Sequence, residues 1–153
     1  MANTYTQIHI QLVFAVQNRQ SLISKDWQDE LYRYITGIVQ NRQHKVLAIN
    51  GMPDHLHLLI GLRPTQSLFE LVQEIKGGSS RWVNDKKLVK GRFEWQEGYG
   101  AFSYGKSQVD AVVRYIQQQE EHHRVRTFRE EYLAFLELFG VDYDEKYIFK
   151  PLA

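Results

Sequence analysis

The segment Met52-Pro53-Asp54-His55-Leu56-His57-Leu58-Leu59-Ile60 constrains this chain more than any other. It is a short apolar run that starts at a Pro-Asp turn, the pattern of a buried strand rather than a helix. Side chains alternate along a strand, so His55 and His57 leave one face while Leu56, Leu58 and Ile60 fill the other. Two imidazoles side by side on a rigid strand form half of a metal site, because neutral histidine is the commonest protein metal ligand. Taken alone, such a triplet reads more readily as a strand with two satisfied surface histidines, because such triplets arise by chance. Asp54 reads as a turn residue, with a role as orienting partner of His55 as the alternative.

The flanking sequence supplies partners for that strand. Ile8, Ile10, Leu12, Phe14 and Val16 alternate with Gln7, His9, Gln11, Val13 and Ala15, which gives a first strand. A first helix is expected from Ser24 to about Arg42, its apolar face built from Trp27, Leu31, Tyr34, Ile35, Ile38 and Val39. Residues 45–51 read as a second strand, turned back into the histidine strand. Ser67-Leu68-Phe69-Glu70 has capping-box spacing and opens a second helix, which Gly77-Gly78 is expected to weaken or bend. Residues 92–104 are aromatic and broken by glycine, a loop and a short strand. A third helix is expected from Ser107 to about His123, with Val109, Val112, Val113 and Ile116 inward. Thr127-Phe128-Arg129-Glu130 caps a last helix, stopped by Gly140. The order β-α-β-β-α-β plus two helices is that of an α+β, ferredoxin-like (RRM-like) antiparallel sheet with helices on one face. The histidine strand is then central, and its imidazole face is open unless a C-terminal helix or a partner covers it.

At 153 residues and 43% hydrophobic content, residues 1–153 are expected to form a single domain with a real core. There are no cysteines, so thiolate ligation and disulfides are excluded, and no apolar run has membrane-spanning length. With no signal-like N-terminus, a cytoplasmic location and no membrane partner are expected. The net charge is +1, but six basic residues against Asp85 lie between Lys76 and Arg92. Lys76, Arg81, Lys86 and Lys87 are therefore candidate phosphate contacts, with Trp82 available for stacking. A solvated helix face explains the same run equally well.

On the third helix, Tyr115 and Gln119 are four residues apart and share a side. His55-Leu56-His57 followed by Tyr115-Ile116-Gln117-Gln118-Gln119 resembles the IS200/IS605-type transposases, the single-tyrosine members of the HUH endonuclease superfamily. The Trp95-Gln96-Glu97-Gly98-Tyr99 segment and the opening strand are similar as well. The resemblance covers nearly the whole chain. It implies an enzyme that cleaves and rejoins single-stranded DNA, with Tyr115 as catalytic nucleophile and a 5′-phosphotyrosine intermediate. It implies a divalent metal ion, Mg²⁺ or Mn²⁺, held by His55, His57 and Gln119. It also implies DNA hairpins at element ends as substrate, and a homodimer in which Tyr115 of one chain can serve the histidines of the other. Keeping the bond energy in a tyrosine–phosphate ester lets a second 3′-OH reverse the step without ATP.

Three other readings compete. A domesticated HUH nuclease would act on chromosomal repeat hairpins through the same residues. A non-catalytic RRM-like module would need aromatic rings where His55 and His57 stand. A hydrolytic two-metal phosphodiesterase would need an acidic cluster beside the histidines.

Overall fold

The computed structural model describes residues 4–144. The expected helix stop at Gly140 lies inside that range; the last nine residues of the chain lie outside it. Four strands, β1 (His9–Ala15), β2 (Lys45–Met52), β3 (His55–Gly61) and β4 (Gly100–Tyr104), form one antiparallel sheet in the order β2-β3-β1-β4. That order is the ferredoxin-like arrangement, with the histidine strand β3 flanked on both sides. β2 and β3 are joined by the two-residue Pro53-Asp54 turn, with Met52 opposite His55. Gly51 sits against this turn, where a Cβ would run into the His55 carbonyl oxygen. Close approach of β3 makes glycine necessary there.

Helices α1 (Gln28–Asn41) and α2 (Leu68–Asp85) cover one sheet face. Leu12, Phe14, Leu56, Leu58 and Ile60 point into them and meet Leu31, Ile35, Val39, Leu71, Val72 and Ile75. The alternation in β1 and β3 thus forms the core as expected. α1 begins four residues later than the sequence suggests, because Trp27 has non-helical angles (φ −133°, ψ 4°). Tyr34 is partly exposed and stacks on Trp82, while Tyr32 is buried.

The Gly77-Gly78 pair does not bend α2, which runs through it as a continuous helix capped by Ser67. A Cβ at Gly78 would lie 2.9 Å from Ile38 Cδ1, so glycine lets α1 approach closely. The next turn is fixed by Ser79, whose hydroxyl donates to the Ile75 carbonyl and accepts from Trp95 Nε1 at 2.9 Å.

The other sheet face carries α3 (Lys106–Gln117), the short α4 (Gln119–His122) and α5 (Phe128–Leu138). The expected single helix to His123 is broken at Gln118, which has φ −101° and ψ 30°. Val112 and Ile116 bury against Leu59 and Ala48, whereas Phe128 and Leu136 bury against Val13, Ala15 and Phe102. The imidazole face is therefore covered by the chain's own C-terminal helices.

Candidate functional site

β3 delivers His55 and His57 to the face beneath α3 and α5, and both are fully buried. Each ring is oriented from behind. His55 Nδ1 donates to Asp54 Oδ1 at 2.8 Å, and His57 Nδ1 donates to Gln11 Oε1 at 2.7 Å. Gln11 is itself held by donating to the Tyr104 hydroxyl at 2.8 Å. With Nδ1 occupied, both Nε2 atoms are directed into the same buried space, an arrangement that fixes ring orientation at metal sites. Asp54 is thus a turn residue and an orienting partner at once.

Glu131 of α5 occupies that space. Its Oε1 lies 3.0 Å from His57 Nε2, 3.5 Å from His55 Nε2 and 3.2 Å from His123 Nε2. Gln119 Oε1 lies 3.2 Å from His55 Nε2, and its amide nitrogen donates to Glu131 Oε2 at 3.4 Å. The Tyr115 hydroxyl donates to the same Oε2. Arg126 Nη2 donates to the Tyr115 oxygen at 2.8 Å, and the His122 ring stacks on Tyr115 at 4.1 Å.

A buried carboxylate is stable only when paired. Burial by itself would raise the Glu131 carboxyl, but hydrogen bonding with His123, His55 and His57 outweighs it and holds it far below the usual carboxylate range. Burial pulls His55 down, yet its bonds to Asp54 and Glu131 raise it overall. For His57 burial prevails over Glu131 and moves the ring below its ordinary value. Burial and then Glu131 push the Tyr115 phenol well above its ordinary value, with Arg126 acting in the opposite sense.

His55, His57 and Glu131 each present a ligand atom within 4.8 Å of the others, so the cluster can bind a metal ion. Two oriented imidazoles, a carboxylate and an adjacent amide oxygen fit a divalent ion as a donor set.

The structure brings together Tyr115, His55, His57 and Gln119, as the sequence suggested. Glu131, His123 and Arg126 join them without having been foreseen. Glu131 did leave a trace: it stands on the apolar stripe of α5 between Phe128 and Phe135, where a carboxylate needs a partner. His123 and Arg126 left none, since they lie in a turn within an acid-rich stretch.

The basic stretch is not part of this site. Lys76, Arg81, Lys86 and Lys87 lie on α2 and just past its end, in the layer behind the sheet. Lys76 donates to the carbonyls of Gln96 and Gly98 at 2.8 and 2.5 Å, tying α2 to the loop before β4. Trp82 is stacked between Tyr34 and the Lys86 ammonium. Arg81, Lys86 and Lys87 are exposed.

The comparisons with known proteins define a DNA-processing class. Residues 4–119 match the family described as Transposase IS200 like, and the chain belongs to that family, whose members bind and transpose DNA. It is 24% identical over 120 residues to the ISDra2 transposase TnpA of Deinococcus radiodurans, covering 75% of this chain and 86% of that protein. It shares its fold with a crystal structure of a Deinococcus radiodurans R1 protein described as a transposase. The TM-score is 0.63 at 22% identity, over 78% of this chain and 95% of that one. A REP-associated tyrosine transposase bound to a REP hairpin gives 0.61 at 17% identity, over 80% and 73%. Among the described residues no helix is long and apolar enough to cross a membrane.

Proposed function

We propose that this transposase is a metal-dependent single-strand DNA endonuclease and strand transferase that works through a 5′-phosphotyrosine on Tyr115. One observation carries this reading: a single carboxylate, Glu131, links the Tyr115 hydroxyl to the His55–His57 pair inside one buried cluster. The nucleophile and the metal-ligating rings thus address the same point. His55 and His57 would hold the ion with Gln119 or Glu131, and the imidazole share of that set favours Mn²⁺ over Mg²⁺. When bound, the ion supplies Lewis-acid polarisation of the scissile phosphate.

In the reaction, the Tyr115 oxygen forms a bond to phosphorus as the phenol passes its proton to Glu131, the carboxylate to which it already donates. The bond from phosphorus to the DNA 3′ oxygen breaks, and that oxygen leaves with the electron pair and is protonated to a 3′-OH. Attack by another 3′-OH on the phosphotyrosine reverses the step and joins new ends. Asp54 and Gln11 keep the two imidazoles oriented.

DNA hairpins are the proposed substrate, supported by the REP hairpin on the structural relative. Arg81, Lys86 and Lys87 are proposed as outlying phosphate contacts, with Lys76 set apart by its carbonyl bonds. A homodimer remains part of this reading, although each chain's Tyr115 ring already lies 6.0 Å from its own His57 ring.

The test uses labelled single-stranded and duplex oligonucleotides tiling the DNA on either side of the reading frame, with Mn²⁺ or chelator. Wild type should give a covalent adduct on single strands only, and only with the ion present. Tyr115→Phe should keep its thermal stability and give no adduct. Mn²⁺ should raise the melting temperature of wild type and of Tyr115→Phe but not of His57→Ala, by mass action on the folded state. Chelator-resistant cleavage, or an adduct surviving in Tyr115→Phe, would rule the mechanism out.

A further inference from the structure

We propose that Arg126 is a catalytic residue of this phosphoryl transfer, holding the scissile phosphate against Tyr115 and balancing the charge that forms on the reacting oxygens. The inference rests on the phosphotyrosine reading above. Arg126 lies beyond residues 4–119, so the family match does not include it.

Its guanidinium touches the reacting atom itself, with Nη2 2.8 Å from the Tyr115 oxygen. That is its only hydrogen bond among the described residues, and it forms no ion pair there despite Glu120, Glu121, Glu130 and Glu131 nearby in sequence. Guanidinium carries five N–H donors in a planar fork that matches phosphate oxygens. A half-buried arginine with one donor on the nucleophile and none on a carboxylate is placed for an anion bonded to that nucleophile. The next residue, Thr127, caps α5 through a reciprocal bond with Glu130, which fixes where the arginine starts.

Access supports the same assignment. A groove of about 500 Å³ runs between α3 and α5 and ends at Tyr115, Arg126 and Glu131, with Tyr104, Phe135 and Leu138 along its walls. His55, His57 and Gln119 are sealed from solvent, whereas Tyr115 and Arg126 are only partly buried. A phosphodiester entering this groove meets Tyr115 with Arg126 beside it. As the tyrosine oxygen bonds to phosphorus and the 3′ oxygen departs, the guanidinium exchanges its bond to the phenol for bonds to the non-bridging oxygens. The same contacts serve the rejoining step in reverse.

The experiment compares wild type, Arg126→Gln and Arg126→Lys on the oligonucleotide that wild type cleaves, with Mn²⁺. Adduct formation is followed in single turnovers at saturating DNA, and affinity is measured on the Tyr115→Phe background so that nothing is cleaved. Arg126→Gln should slow adduct formation and rejoining by about 100-fold, the usual effect of losing one charge-stabilising donor. Its affinity should stay within about threefold of the parent, and Arg126→Lys should recover about tenfold of the rate because it restores the charge without the fork. A saturated rate within about threefold of wild type in Arg126→Gln, or a loss confined to affinity, overturns the assignment. So does an equally slow Arg126→Lys whose melting temperature matches wild type. A wild type that forms no adduct on any tiled oligonucleotide overturns the phosphotyrosine reading and this inference with it.

Discussion

The Lys76 ammonium sits 5.6 Å from the centre of the Phe14 ring and 5.9 Å from that of Tyr99, bonded to two carbonyls. Burial lowers it from 10.5 to about 8, a cost that nearby Glu97 only partly offsets. The sign follows from proton counting. Between pH 8 and 10.5 the unfolded chain holds a proton on Lys76 that the folded chain has lost, so folding becomes more favourable as pH rises. Below pH 8 both states are protonated and the burial cost is complete. The melting temperature of wild type, relative to Lys76→Met, should therefore climb across that window. Parallel curves for the two proteins would place the ammonium in solvent instead. A residue chosen for its charge thus acts through desolvation, and Arg126, which charge counting passed over, stands at the Tyr115 oxygen.

Among the elements, α5 decides what the site looks like. Its Phe128 stacks on the His55 ring at 3.9 Å, and Phe135 packs on Phe102, His57 and Tyr115. Its N-terminus is held by a capping box, with the Thr127 hydroxyl accepting from Glu130 N at 3.2 Å and the Glu130 carboxylate accepting from Thr127 N at 3.3 Å. Thr127→Ala removes the hydroxyl's half of that exchange and should cost about 1 kcal/mol. The loss should appear locally, as faster amide hydrogen exchange over residues 128–131 with β3 unchanged. Equal acceleration in β3 would mean that α5 and the sheet open only together. The Ser67 N-cap, which accepts from Glu70 N without the reciprocal bond of a full capping box, and the Thr127 capping box were readable because their signal is local. The helix break at Gln118 was not, since nothing in Gln117-Gln118-Gln119 disfavours a helix. That break ends α3 while keeping Gln119 buried beside His55.

For the molecule as a whole, the sheet, Tyr115 and the cluster that can take a metal close within one chain. Tyr115 meets Glu131 and Arg126 of its own α5 turn, and Glu131 meets its own His57. Mixing Tyr115→Phe with His57→Ala, each inactive alone, tests this directly. The mixture should form no adduct, because no site gains both a tyrosine and an intact histidine pair. Recovery toward a quarter or half of wild-type activity would show that a dimer exchanges its tyrosine helices.

The sequence alone determined the sheet, its helical layer and the pairing of His55 with His57. Strand period two, capping boxes and Pro-Asp turns act over a few residues, and their outcome is written in spacing. Tyr115 and Gln119 were legible through the resemblance of the Tyr115–Gln119 segment, although the single helix expected to carry both is broken between them at Gln118. Only the tertiary structure decided that Glu131 stands among the histidines, that Asp54 and Gln11 orient them, and that Arg126 reaches the tyrosine. Those contacts join residues from β1, β3, α3, α4 and α5 that share no local period. What selects them is the high cost of leaving a buried charge unpaired, a condition set by the closed fold and by no single segment.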